Sequence, residues 1–469
     1  MISINGVNWK PNNIPERLIL KHKQNFNISY LLSKVFIDKK YTDEEIYNSL
    51  YKNKQIEIHY DNKDFHYATN LLVENFKNKK KILIYGDYDV DGYSSTYILY
   101  DFFKNYNIEC NYYIPDRFID GYGPNISVLK KLIQKHNYGL VFFVDCGSNS
   151  INEINYLERK GINTIVIDHH QIHNNKIFKK AIIINPLKDP SSKDSNFFCA
   201  TTLVYFFIKS LLKVFKPSNA VDLNKYLFFA TLATVCDQMP LRGLNKSIVI
   251  NGIKNFKLNK FINLKKIVNI NHKITTSDIA FLVGPIINSA SRLGYASLPI
   301  SLLVENKNIL IDKITNKLLM LNQRRKKIQN KTINLLNTNI EENKNQVVFK
   351  YKNNINEGLL GIIASHYVEI YNKPSFILTN SQNFIKCSSR SVQGFDVGNI
   401  FYQAIKKKLI INGGGHSMAG GCTLKKDKLK EFKNFLDTNF KKKFSLLKNI
   451  KFYVSEQSFV SLVEFAKRD

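Results

Sequence analysis

Asp87, Asp89 and Asp91 stand at alternating positions in KILIYGDYDVDG (81–92), and Gly92 closes the run. Three carboxylates that converge on one point repel one another and hold their protons more tightly, and a bound divalent cation relieves both effects. The spacing D-x-D-x-D-G also opens an EF-hand calcium loop, which needs a bidentate Glu at its twelfth position and a helix before it. Here the twelfth position is Ile98, and the preceding KILIYG is β-branched and apolar, a buried strand. The EF-hand reading fails. For the three acids taken alone, the bland alternative is a polar loop that happens to be acidic.

More chemistry follows at regular intervals. NIECNYYIP (107–115), YGLVFFVDCG (138–147), NTIVIDHH (163–170) and AIIINP (181–186) read as strands, while NISVLKKLIQKH (125–136) and INEINYLERKG (151–161) read as helices between them. Strand–helix alternation of this kind predicts an α/β fold with a doubly wound parallel sheet and a site at the carboxyl ends of its strands. Polar residues fall at those ends: Asp116 and Arg117 after one strand, Asp145 after the next, then Asp168, His169 and His170. Singly, such an Asp is often a helix cap and a His pair is often surface. Together they place several acidic or imidazole groups on one rim. Carboxylate and imidazole without thiolate favour Mn²⁺ or Mg²⁺ over structural zinc. Further on, Asp237 ends the apolar helix YLFFATLATVC, a costly place for an isolated carboxylate, so a metal or a basic partner is expected there.

The elements that position these groups need a large chain, and 469 residues allow two or three domains with full cores. A 44% hydrophobic and 12% aromatic content excludes a disordered chain. Lys and Arg number 68 against 38 Asp and Glu, so 68 − 38 gives a formal charge of +30. That surplus suggests a nucleic-acid partner, although Asn, Lys and Ile are abundant throughout and could raise the charge without a binding patch. Six scattered cysteines with no C-x-x-C pair argue against a disulfide framework and a zinc knuckle, and for a reducing compartment. The start has no apolar signal core, and no apolar run nears the ~18 residues of a membrane span, so a cytoplasmic protein off the membrane is expected. Residues 1–80 offer a β-like start around Trp9 and then helices, with no chemistry to name.

DYDVDG, Asp145 after VFFV, DHH (168–170) and ATVCDQMPL occur in the order of the DHH phosphoesterase superfamily. LVGPIINSASRLG (282–294) is similar to its GP-x-IN-A-x-GR segment, with Ser291 before Arg292. SSRS (388–391) and GGGHSMAGG (413–421) resemble the two signature segments of the associated DHHA1 domain, with Ser389 where that family usually has Gly. The resemblance runs from about Met1 to Phe440 and is strongest to the superfamily's bacterial single-stranded-DNA exonucleases. It implies an N-terminal extension packed on the first domain (1–80), a DHH catalytic domain (81–300), a long linking helix (301–342), a smaller α/β DHHA1 substrate domain (343–445) and a short tail (446–469). Such chains normally continue into an OB-type barrel, for which this tail is too short, and the positive charge would then compensate in part.

The same resemblance implies two Mn²⁺ or Mg²⁺ ions. Asp89, Asp91, Asp145, His169 and Asp237 would be the most secure ligands, Asp87 and His170 ligands or close to them, and Asp168 would orient a histidine. Arg117, Asn288, Arg292, Ser388 and Arg390 would hold the terminal phosphate and backbone, with His416 and the room left by Gly414 and Gly415 near the scissile phosphate. The implied reaction removes 5′-mononucleotides from single-stranded DNA in the 5′ to 3′ direction, for repair and recombination. A monomer would carry it out, beside a helicase and a single-strand-binding protein. The groove would be too narrow for duplex. Tyr122 and Phe395 could stack bases there, although a buried structural role is expected for both. The basic QRRKK stretch (323–327) of the linking helix is expected to be a solvated face. The rival readings are a phosphoesterase of short oligonucleotides or cyclic dinucleotides and a metal-free DNA-binding scaffold; retention of every acidic ligand argues against the latter.

Overall fold

The computed structural model describes residues 13–50, 60–172, 181–188, 197–215, 221–255, 261–268, 270, 272–337 and 347–447. The start around Trp9 and residues 448–469 of the tail lie outside these. Two compact units divide the chain, one of Met1–Glu57 with Thr438–Asp469 and one of Ile58–Asp437. In the first, helices Glu16–Phe26, Tyr30–Asp38 and Asp43–Leu50 bury Phe26, Phe36 and Ile46 together.

The second unit holds two sheets. In the first sheet, β1 (Lys81–Tyr85), β2 (Cys110–Tyr113), β3 (Tyr138–Val144), β4 (Asn163–Ile167) and β5 (Ala181–Ile184) lie in the order β2-β1-β3-β4-β5, every neighbouring pair parallel. Side chains alternate across the strands, so each face has its own core. Ile82, Ile84, Leu140, Phe142, Val144, Ile165 and Ile167 join residues of helices Val90–Asn105, Ala200–Val214 and Leu223–Cys236. Leu83, Tyr85, Val141, Phe143 and Val166 join Val128, Leu129, Ile154 and Leu157 of helices Ile126–Lys135 and Ile151–Arg159. This double covering is why β1, β3 and β4 read as continuous apolar runs. The strand order reverses between β1 and β3, which opens a crevice at their carboxyl ends.

Two backbone features shape that crevice. A Cβ on Gly92 would lie 2.4 Å from the carbonyl oxygen of Asp87, so the turn after β1 closes against its helix only with glycine there. Asp145, just past β3, has φ +60°, a left-handed conformation uncommon for non-glycine residues.

The linking segment is two helices, Leu298–Val304 and Asn308–Leu336. The Glu305 side chain accepts from the amides of Asn306 and Lys307, both at 2.9 Å, and so turns the chain out of the first helix. The second sheet contains β6 (Val348–Tyr351), β7 (Ser375–Ser381), β8 (Phe384–Arg390), β9 (Asn412–Gly415) and β10 (Ala419–Leu424), ordered β6-β7-β8-β10-β9. Only β6 and β7 run parallel; the other pairs are antiparallel. β9 and β10 are unforeseen by the sequence reading, because glycine is depleted in strands and four of their residues facing each other are glycine.

Gly92→Ala should destabilise the protein by about 1–3 kcal/mol, an overpacking cost, in urea unfolding. An unchanged midpoint would mean that the Asp87 turn yields freely.

Candidate active site

β1 ends at Tyr85, and Asp89 caps the following helix, accepting from the amides of Asp91 and Gly92 at 3.1 Å each. Asp91 is therefore already inside the helix, and its carboxylate points elsewhere. It accepts from the amides of Ala200 at 2.8 Å and Thr201 at 2.7 Å, the start of helix Ala200–Val214, whose positive end steadies the charge. The three alternating acids thus do not meet at one point.

They separate into two adjoining groups. His169 Nε2 lies 3.6 Å from Asp91 Oδ2, 3.3 Å from Asp145 Oδ1 and 3.4 Å from Asp237 Oδ2. Asp87, Asp89 and Asp145 form the second group, with ligand atoms within 4.8 Å of one another. Asp145 also groups with His169 and His170, so its carboxylate, carried on a left-handed backbone, links the two.

These residues fit divalent cations. Asp87 Oδ1 and Asp145 Oδ1 are buried without a hydrogen-bond donor. Burial, then the charge of Asp89, pushes the Asp87 carboxyl up to about 8. Burial, then Asp91, raises Asp145 and Asp237 well above the usual carboxylate range. Asp237 also closes the carboxyl end of helix Leu223–Cys236, where the helix dipole disfavours a negative charge. Without a cation this cluster must hold protons; with one it can ionise.

Asp168 is different, because its oxygens are fully used. They accept from the amides of Ser148 at 3.0 Å, His169 at 2.8 Å and His170 at 3.2 Å, and from His170 Nδ1 at 2.7 Å. Burial opposes its charge, but the His170 charge and these bonds win and hold it well below its ordinary range. In turn, burial would lower His170, yet Asp168 outweighs it and pushes the imidazole up to about 9. For His169, burial and then the charge of His170 lower the basicity, which favours the neutral ring that a metal needs.

A cleft of about 720 Å³ joins this centre to the second sheet. Asp87, Asp89 and His170 line one wall, with Arg117, Ser388, Arg390, Gly414, Gly415 and His416 around them. Arg117 lies over the Tyr88 ring at 4.4 Å, and the His170 and His416 rings stack with centroids 5.5 Å apart. Gly414 and Gly415 sit in β9 rather than in a loop. A Cβ on Gly415 would lie 2.2 Å from the Ala419 carbonyl oxygen, whereas one on Gly414 would meet open space.

Several expectations change. Asn288 and Arg292 line a cavity of about 150 Å³, from which Arg292 still feels the charges of Arg117 and Arg390 in the cleft. Asp116 caps its own turn, accepting from the amides of Phe118 and Ile119 at 2.8 and 3.3 Å. Tyr122 is 57% exposed and its hydroxyl lies 3.2 Å from His170 Nε2, while Phe395 is buried. Within QRRKK, Arg324, Lys326 and Lys327 are exposed, but Arg325 turns inward to the small cavity. Lys386 and Asn412 also line the cleft unforeseen; only the i, i+2 spacing of Lys386 from Ser388 hinted at a shared face.

Among family models, the one described as "DHH family, N-terminal domain" matches residues 81–234, and the DHHA1 domain model matches 344–442. The chain thus carries a DHH-family domain followed by a DHHA1 domain. The single-stranded-DNA-specific exonuclease RecJ of Haemophilus influenzae is 27% identical over 393 residues, covering 79% of this chain and 68% of that protein. RecJ of Bacillus subtilis is 25% identical over 79% of this chain, but the chain spans only 47% of that relative's length. In three dimensions, a manganese-bound RecJ exonuclease matches with a TM-score of 0.70 at 24% identity over 82% of this chain and 96% of that one. RecJ of Thermus thermophilus with Mn²⁺ matches with a TM-score of 0.77 at 21% identity over 94% of this chain and 63% of that one. These structures show a shared fold. No helix among the described residues is long and apolar enough to cross a membrane.

Metal-free protein should lose stability as pH rises. Asp87 binds its proton more tightly folded, at about 8, than at its ordinary 3.8, so its stabilising contribution is complete below the lower value and fades toward the higher. Asp87→Asn should flatten that part of the profile in urea unfolding with a chelator present. A slope identical to wild type between about pH 5 and about pH 8 would refute the assignment.

Proposed function

We propose that this chain is a single-strand-specific DNA exonuclease that works from the 5′ end and releases 5′-mononucleotides. The observation that carries the reading is Asp145, shared between the Asp87–Asp89 group and the His169–His170 pair, beside a cleft whose other polar residues suit phosphate. The RecJ relatives, named as single-stranded-DNA-specific exonucleases, support the choice of substrate. On this reading residues 81–300 are catalytic, 301–342 connect, and 343–445 hold substrate.

Asp87, Asp89, Asp91, Asp145, His169, His170 and Asp237 would hold two Mn²⁺ or Mg²⁺ ions. Such ions lower the pKa of a bound water and neutralise charge on phosphate oxygens. The chain's own residues do the rest. Asp168 fixes the His170 ring through Nδ1, with Nε2 directed to the side where the Tyr122 hydroxyl lies 3.2 Å away. Arg117 and Arg390 offer guanidinium forks to the terminal phosphate, with Ser388 beside them. His416, stacked on His170, lies where it can donate to a phosphate oxygen. The walls of one cleft, both in the same compact unit, limit access to a single strand.

A second reading has an observation of its own. A 720 Å³ cleft also accommodates a dinucleotide by itself, so the same residues would serve a short-substrate phosphoesterase. A strand that must be single would come from a helicase and be kept open by a single-strand-binding protein. One chain supplies every residue of the site, which suits a monomer. All six cysteines are free, which suits the reducing cytoplasm.

Single-stranded DNA labelled at its 5′ end, incubated with Mn²⁺, should release labelled mononucleotide early, while blunt duplex should not. Asp89→Ala should lower the rate by more than ~100-fold, beyond the ~10–100-fold expected for Asp168→Ala, whose carboxylate acts through a histidine. Rapid dinucleotide turnover with no release from long strands would replace this reading with the short-substrate one.

A further inference from the structure

Thr201 stands in the apolar run FCATTLVYFF with its side chain wholly buried. Valine would fill the same volume there without a polar group to satisfy. The hydroxyl finds its partner 110 positions earlier in the chain: Thr201 Oγ1 donates to Asp91 Oδ1 at 2.5 Å. It also lies 2.9 Å from the Asp91 carbonyl oxygen, while the Thr201 amide donates to the same Oδ1 at 2.7 Å. Ser95, equally buried, completes the arrangement. Its hydroxyl donates to the Asp91 carbonyl oxygen at 2.6 Å, and its oxygen stands 3.0 Å from Thr201 Oγ1. With Ser95 serving the carbonyl, the single Thr201 hydroxyl hydrogen is assigned to Oδ1.

The two oxygens of Asp91 are thereby made unlike. Oδ1 is committed to two donors from one residue. Among the described residues Oδ2 accepts from the Ala200 amide alone, at 2.8 Å, and it is the oxygen that faces His169 Nε2 at 3.6 Å. The division has a cause in the fold. Cys199 precedes helix Ala200–Val214 without a side-chain cap, so the Asp91 carboxylate takes the first amides of that helix and turns its other edge to the centre.

We propose that the Thr201 hydroxyl is a positioning group that holds Asp91 to one metal-binding oxygen, Oδ2, and so weights the centre toward small octahedral cations and against Ca²⁺. Calcium accepts six to eight oxygens and takes carboxylates through one oxygen or both, whereas a small octahedral ion gains nothing from the second. The proposal rests on Asp91 as a metal ligand and is independent of which strand is cut. Without the hydroxyl, Oδ1 keeps only its amide, the carboxylate can turn about its last bond, and both oxygens open to a larger ion.

The test titrates full-length protein, stripped of metal by a chelator and dialysed, with Mn²⁺ and separately with Ca²⁺ in a calorimeter. Thr201→Val should weaken Mn²⁺ binding about 10–100-fold, the usual cost of losing the group behind a ligand. Ca²⁺ binding should change by no more than about twofold, so the preference for Mn²⁺ narrows. Thr201→Ser restores the hydroxyl and should recover wild-type values for both ions. Thr202→Val is the control for packing and should leave both unchanged. Thr202 is as deeply buried one residue further on, and its hydroxyl lies 3.2 Å from Thr234 Oγ1 and 3.4 Å from Cys199 Sγ, away from Asp91. Ser95→Ala should narrow the preference by a smaller factor, and it decides the matter if Thr201→Val does not fold. Unchanged Mn²⁺ binding in Thr201→Val, equal losses of the two ions, or an equal loss in Thr202→Val would overturn the proposal, as would an unchanged preference in Ser95→Ala standing alone. Wild-type protein that binds neither ion would overturn it together with the metal reading of Asp91. Wild-type protein that binds Mn²⁺ yet leaves DNA intact would defeat the exonuclease reading alone, and the titrations would still decide the role of Thr201.

Discussion

Three carboxylates crowd around His169 at the edge of one sheet, with Asp87 and Asp89 grouped beside Asp145, and their mutual repulsion is the constraint to which the surrounding structure answers. Each element that reaches the centre brings a local remedy for part of that charge. The start of helix Ala200–Val214 gives two amides to Asp91, Asp89 accepts from two amides of its own helix cap, and Asp168 is surrounded by amides and the His170 imidazole. Asp87, Asp145 and Asp237 receive no such help, and they are the acids whose protons are held most tightly. The imbalance is local and leaves a position shaped for cations, where Asp145 can serve both groups.

The sheet was legible because its strands are buried on both faces. KILIY, YGLVFFV and NTIVI carry no charged residue past their first position, and their ends coincide with Gly86, Asp145 and Asp168. Convergence of those ends follows from parallel pairing alone, since every carboxyl end then lies on one rim. What spacing could not convey was direction. Asp87, Asp89 and Asp91 look equivalent in sequence, yet a helix beginning at Val90 rotates the third away from the first two and onto residues more than a hundred positions later.

The second sheet was half legible for a related reason. β7 is a continuous buried run and β8 alternates, whereas β9 is NGGG and β10 opens on AGG, and strand formation there depends on the partners rather than on intrinsic preference. Arg325 escaped for another reason. Four consecutive basic residues on a helix point in different directions, and only the neighbouring cavity tells which one turns inward. The placing of Asn288 and Arg292 in that cavity is equally a matter of packing between segments distant in sequence.

The paired Gly414 and Gly421 leave one stretch of the cleft wall without side chains. On the exonuclease reading, a strand lying along that stretch would meet backbone groups in place of side chains, so less there would depend on which base it carries. Recognition would then fall to the repeating, charged part of the polymer.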